Sequence, residues 1–127
     1  ARGAEAHRGV AVAGFPNFFM LYGPNTNLGH NSIIFMIECQ ANYIAQCVEA
    51  LANSRLRYLD VKPEAMESFN RELQQDMQKT VWAAGCSSWY KTADGKVTNS
   101  WAGFTARYWW ELRHPDFAEY ALVGGPA

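Results

Sequence analysis

Gly14-Phe15-Pro16-Asn17-Phe18-Phe19-Met20-Leu21-Tyr22-Gly23-Pro24-Asn25-Thr26-Asn27-Leu28-Gly29-His30-Asn31, with the run from Ser32 to Ala52 behind it, is the stretch on which the fold turns. Phe18–Tyr22 is a short apolar run fenced by Gly14, Pro16, Gly23 and Pro24, a pattern that predicts a buried strand. The Gly-, Asn- and Pro-rich residues that follow predict a loop. A long helix is predicted from Ser32 to Ala52, with Asn31 or Ser32 as its cap. Ile33, Ile37, Ala41, Ile44, Val48 and Leu51 recur at spacings of three and four and mark its apolar face. Glu38, Gln40, Asn42, Gln46 and Glu49 interrupt that run, so it does not read as a membrane span.

Beyond the helix, Leu56–Val61 reads as a short strand, and Pro63 opens a second helix at its first turn with Glu64 near the positive end. Met66, Phe69, Leu73, Met77 and Val81 line one face of it, and Gly85 is placed to stop it. Ala93-Asp94-Gly95, between Ser88–Thr92 and Lys96–Thr98, is an Asp-Gly hairpin signal. A short aromatic helix spans Thr105–Leu112 ahead of Pro115, and Phe117–Val123 reads as a last strand. The fold class is therefore α+β: two long amphipathic helices, short strands and a C-terminal hairpin region. Their apolar faces are expected to meet each other or to be shared between chains.

The 127 residues are 49% hydrophobic and 18% charged, the balance of a core-forming chain rather than a disordered one. A net charge of −1 provides no field for nucleic acid or an anionic membrane surface. Cys39, Cys47 and Cys86 make no disulfide framework; on one helix Cys39 and Cys47 stand about 12 Å apart. Reduced thiols and a cytoplasmic setting are expected. His7, His30 and His114 are scattered without metal-ligand spacing, and no nucleophile constellation is visible. Glu64, Glu67, Glu72 and Asp76 read as solvated helix charges, Arg107 and Glu111 as a surface pair, and Trp101, Trp109 and Trp110 as packing aromatics.

The loop before the long helix is the informative place for chemistry. It offers neutral Asn and Thr side chains and Gly backbone directly ahead of a helix N-terminus, an end that suits an electron-rich ligand edge. The plainer alternative is that these residues only cap the helix and turn the chain. The block Gly14–Gly29, continuing through Ser32-Ile33-Ile34 and Glu38-Cys39-Gln40, then Cys86-Ser87-Ser88-Trp89-Tyr90 and Asn99-Ser100-Trp101, resembles the segment that closes the FAD domain in Baeyer–Villiger and related flavin-containing monooxygenases. The likeness runs from residue 9 to residue 123.

That resemblance implies the closing portion of a flavoprotein with two dinucleotide-binding domains. Residues 1–55 would be the final strand, loop and helix of the FAD-binding domain, and 56–127 a C-terminal helix with an aromatic hairpin extension. Asn25, Thr26, Asn27 and Leu28 would lie against the flavin, and the helix start at Asn31–Ile33 toward its pyrimidine edge. Trp89, and after it Tyr90, would contact the nicotinamide cofactor, unless both are core aromatics of the hairpin.

The chain has no Gly-x-Gly-x-x-Gly turn, no Phe-x-Gly-x-x-x-His-x-x-x-Trp signature and no segment bearing the family's active-site arginine. No catalytic residue is therefore assigned. The intact parent would use FAD and NADPH to insert oxygen beside a ketone carbonyl, whereas the isolated chain is expected to hold neither cofactor and to be inactive. Its partners would be the upstream domains and a ketone, with homodimers possible through exposed apolar surface. The missing initiator Met fits excision from a longer chain. The alternatives are an enzyme that oxygenates nitrogen or sulfur, and a noncatalytic helical domain that docks a partner.

Overall fold

The structure is a computed structural model that describes residues 3–27, 32–79, 92, 94, 96–98, 101 and 103–125. Helix α1 spans Ile33–Asn53, strand β1 Leu56–Val61, helix α2 Pro63–Gln78, helix α3 Thr105–Leu112 and strand β2 Tyr120–Gly124. The architecture is α+β. Ser32 caps α1 by accepting the Phe35 N–H at 3.4 Å, and Pro63 takes the first position of α2. Val81 and Gly85, predicted to extend and stop α2, lie outside the described residues.

β1 and β2 pair antiparallel, with Leu59 opposite Leu122 and Val61 opposite Tyr120. A single turn of helix at Phe117–Glu119, capped by Asp116, leads into β2, so the predicted strand begins three residues later than its apolar pattern. Across the predicted Asp-Gly turn the Thr92 N–H donates to the Lys96 carbonyl at 2.8 Å, while Ala93, Gly95 and 88–91 lie outside the described residues.

The core brings together Met36, Tyr43 and Cys47 of α1, Leu59 and Val61 of β1, Leu73 of α2, Tyr108 and Leu112 of α3, and Tyr120 of β2, with Val10, Ala11 and Trp101 from the connecting segments. α1 packs chiefly on α3 and β1. α2 is fastened to the N-terminal segment instead: Asn70 Nδ2 donates to the Ala6 carbonyl at 3.0 Å, and Phe69 meets the His7 ring edge-on at 5.4 Å. The expected pairing of the two long helices is thus replaced by separate attachments.

Two sequence expectations need correction. The buried stripe of α1 is Met36, Cys39, Gln40, Tyr43 and Cys47; of the predicted face, Ile44 and Leu51 pack against the core and Ile37 is half-buried, whereas Ile33, Ala41 and Val48 are exposed. Gln40 and Tyr43 can occupy a core face because each has a buried partner; the Tyr43 and Tyr120 hydroxyls lie 2.8 Å apart. Phe18–Tyr22 is not a buried strand either. Only Phe19 forms a bridge, to Ala11, and Met20 N–H reaches the Val10 carbonyl at 2.9 Å. Asn17 and Tyr22, both at positive φ, end the extended stretch on either side, and Phe18, Leu21 and Tyr22 are exposed. Trp101 packs inside, but Trp109 and Trp110 face outward, with the Arg113 guanidinium 3.9 Å from the Trp110 ring centroid.

Candidate functional site

Past Phe19 the chain turns back on itself. Tyr22 and Asn25 adopt left-handed backbone conformations (φ 56° and 59°), and the Thr26 hydroxyl closes the turn by donating to the Gly23 carbonyl at 2.7 Å. The Asn25 backbone N–H donates to the Thr98 carbonyl and its Nδ2 to the Val97 carbonyl, both at 2.8 Å. Trp101 N–H then donates to the Asn27 carbonyl at 2.9 Å, and the Tyr22 hydroxyl to Asn27 Oδ1 at 3.0 Å. The turn is thus tied by hydrogen bonds to Val97, Thr98 and Trp101.

Of the residues singled out in the sequence, Asn25 and Thr26 are buried, their side chains bonded to the chain's own carbonyls. Asn27 is half-buried and borders a cleft of about 580 Å³ shared with Ala4, Met20, Leu21, Tyr22, Gly23, Pro24 and Thr98. Among the described residues no charged side chain lines that cleft. Leu28, Trp89 and Tyr90 lie outside the described residues, as do His30 and Cys86. Ser32 and the exposed Ile33 and Ile34 place the start of α1 after this turn.

A second polar centre was not visible in the sequence. His7 is completely buried, and its Nε2 lies 2.9 Å from Glu119 Oε2; Arg8 reaches the same carboxylate at 3.2 and 3.4 Å and Glu111 at 3.5 Å. The hydrogen bond with His7, followed by the charge of Arg8, holds the Glu119 carboxyl below the usual range against the opposing effect of burial. Burial alone would lower the Arg8 pKa, but Glu119 and its other neighbours outweigh that and raise it. This pair lines a second cleft, also about 580 Å³, with Lys62, Glu64, Phe69, Trp101 and Arg107 among its walls. His7 and Glu119 are 112 residues apart in sequence, so no local pattern announces them.

Arg107 and Glu111 pair as expected at 2.8 Å, but Arg107 also binds Asp76 at 2.8 Å. Asp76 is therefore not a merely solvated charge. The Arg107 hydrogen bond, reinforced by charge, lowers its pKa. Burial lifts the Cys47 thiol to about 12, so it remains protonated, and Cys39 is raised by burial and then by Glu38. Among the described residues no three His, Cys, Asp or Glu are grouped to hold a metal, and no helix is long and apolar enough to cross a membrane.

No family model matches this chain. Individual relatives do. A Baeyer–Villiger monooxygenase of Streptomyces coelicolor is 46% identical over 123 residues, which are 95% of this chain and 24% of that protein. One from Pseudomonas aeruginosa is 40% identical, covering 98% of the chain and 24% of that protein. An FAD-binding monooxygenase of Aspergillus niger is 39% identical, over 96% and 21%. In fold, the chain matches a steroid monooxygenase solved with NADP at a TM-score of 0.82 and 23% identity, over 98% of this chain and 24% of that one. The cyclohexanone monooxygenase of Rhodococcus sp. Phi1, bound to NADP+, matches at 0.77 and 24%, over 96% and 24%. The chain spans about a quarter of the length of the relatives it matches. Over nearly all its residues the chain is homologous to about that share of these Baeyer–Villiger and FAD-binding monooxygenases, and it is a fragment of a larger enzyme.

Proposed function

We propose that this chain is the part of a Baeyer–Villiger monooxygenase that closes the FAD-binding domain and carries the C-terminal extension, with residues 1–55 serving the first role and 56–127 the second. The observation that carries this reading is the 46% identity to the Streptomyces coelicolor Baeyer–Villiger monooxygenase across 123 residues. Relatives of this kind favour an oxygenase over a partner-docking domain. The names of two of the three relatives favour insertion beside a carbonyl over oxygenation of nitrogen or sulfur.

The cleft fits one edge of a flavin. Its described lining is neutral, with apolar Met20 and Leu21 beside Asn27 and Thr98, which suits a flat ring with amide-like edges. Asn25 and Thr26 then serve as the frame of the turn, Asn27 and Leu28 as its contact face, and the start of α1 supplies N–H groups where reduction places negative charge. FAD, when bound, supplies the redox and oxygen-transfer chemistry, with NADPH as reductant and Trp89 as a contact on that side. This chain's own residues hold the ring's position and exclude water from it. The exposed Phe18, Leu21, Ile33, Ile34, Trp109 and Trp110 are the surface that upstream domains, or a second copy of the chain, would cover.

The test is ketone-dependent NADPH oxidation by the full-length gene product purified with FAD, with this chain assayed alongside. Ester or lactone from the full-length protein and none from the chain is the expected result. A full-length protein that neither retains flavin nor consumes NADPH overturns the reading.

A further inference from the structure

α1 buries a carboxamide in the middle of its core face. Gln40 has no exposed surface, and both ends of its side chain are engaged. Its Oε1 accepts the Tyr22 backbone N–H at 2.7 Å, and its Nε2 donates to the Tyr108 hydroxyl at 2.9 Å. Tyr108, equally buried, donates onward to the Arg8 carbonyl at 2.9 Å. The directions are fixed by chemistry: an N–H at Tyr22 demands the amide oxygen, so the amide nitrogen faces Tyr108, whose proton goes to Arg8.

An apolar side chain of similar volume would pack α1 against α3 as well, without desolvating an amide. What it could not do is hold the backbone at Tyr22. That residue stands at the entrance of the Gly23–Asn27 turn, in a left-handed conformation and half exposed, with no other anchor to α1 at its N–H. A fully bonded polar network of this kind specifies one arrangement where apolar contact would tolerate several. Tyr108 carries the same connection to Arg8 and so to Glu119 and Glu111, joining the neutral cleft to the charged one.

We propose that Gln40, backed by Tyr108, is a positioning residue for the cofactor: it sets how far the Tyr22–Asn27 turn stands from α1, and thereby where the flavin edge rests. Gln40 touches no cofactor itself and acts through the Tyr22 backbone. The proposal rests on the reading of this turn as flavin-facing.

In the full-length flavoenzyme, Gln40→Leu removes both bonds, Tyr108→Phe removes only the support behind the amide, and Cys47→Ala opens a small cavity two turns further along α1 without touching the network. Flavin visible circular dichroism, FAD affinity and melting temperature are measured for each. Gln40→Leu is expected to weaken FAD binding about tenfold and Tyr108→Phe about threefold, as expected for losing one buried hydrogen bond or part of its support. Both should alter the flavin dichroism, while Cys47→Ala lowers the melting temperature and leaves it native. If Gln40→Leu and Tyr108→Phe lower only the melting temperature, as Cys47→Ala does, the positioning role is overturned and the flavin reading stands. Should Gln40→Leu fail to fold, Tyr108→Phe decides by the same criterion. A wild-type protein that holds no flavin overturns the flavin reading, and the positioning role with it.

Discussion

Gly23→Ala is expected to destabilise the chain by about 3 kcal/mol or more, within the upper range for single substitutions. The reason is close approach. A methyl group at Gly23 would fall on the Gly9 carbonyl oxygen and carbon, well inside van der Waals contact, and 2.7 Å from the Met20 sulfur. The sulfur can swing aside, but the backbone of Gly9 cannot. Gly9 is fixed in turn by a positive φ of 73° and by the Thr26 methyl group packed where its own side chain would be. Relief therefore requires the 6–11 segment and the 22–26 turn to separate, which pulls on the Tyr22–Gln40 bond and on the core contacts of Val10. Gly124→Ala is the matched control, because nothing lies within 4 Å of the added carbon. Urea unfolding of the three proteins measures the difference. A Gly23→Ala midpoint equal to that of Gly124→Ala would contradict the packing described.

Glu119→Gln should cost about 2–3 kcal/mol at neutral pH, on the low side for breaking a buried charge pair because the Glu119 side chain is 26% exposed. The amide keeps the shape but not the charge, leaving Arg8, 16% exposed, with the longer contact to Glu111 as its remaining carboxylate partner among the described residues. The pH dependence follows from the lowered pKa. A carboxyl whose folded pKa lies below its ordinary value of 4.5 stabilises the fold above that pH, and the contribution is lost as pH falls through the lower folded value. Asp76, held down chiefly by the Arg107 hydrogen bond, acts in the same direction from 3.8. Wild-type stability should therefore decline on acidification below about pH 4.5, and Glu119→Gln should flatten the upper part of that decline. Unfolding midpoints between pH 7 and pH 3 provide the test; an equally steep decline in the variant would place the titration elsewhere.

The elements that sequence predicts well are those with local punctuation. Ser32 and Pro63 mark helix starts, Pro115 follows the end of α3, and the short apolar-rich stretch Leu56–Val61 reads as the strand it forms. What hydrophobicity misjudges is the face of α1. Its isoleucines are on the outside at Ile33 and Ile34, and a glutamine, a tyrosine and two cysteines are within. Hydrogen bonding reverses the ranking there, and it does so through partners 18 and 68 residues away from Gln40. Phe18–Tyr22 misleads for a related reason: an apolar run predicts burial, yet Phe18, Leu21 and Tyr22 are exposed and only Phe19 packs against the core.

The candidate site was legible only in outline. The residue types of the 23–27 loop identify a turn before a helix, which the structure has. That Asn25 commits its side chain to the Val97 carbonyl, 72 residues on, is invisible in the loop's own sequence, whereas Thr26 bonds locally to Gly23. His7 looked like a stray histidine for the same reason, since Glu119 and Phe69 reach it from distant elements. The flavin assignment owes more to the contiguous likeness to Baeyer–Villiger monooxygenases than to any single residue of the loop.

The most direct test of the central claim is a crystal structure of the full-length protein with FAD. The flavin ring is expected in van der Waals contact with the turn at Asn27–Leu28, its pyrimidine edge toward the start of α1 at Ile33. A flavin bound elsewhere, with the 20–28 turn and the α1 start remote from the ring, would contradict it.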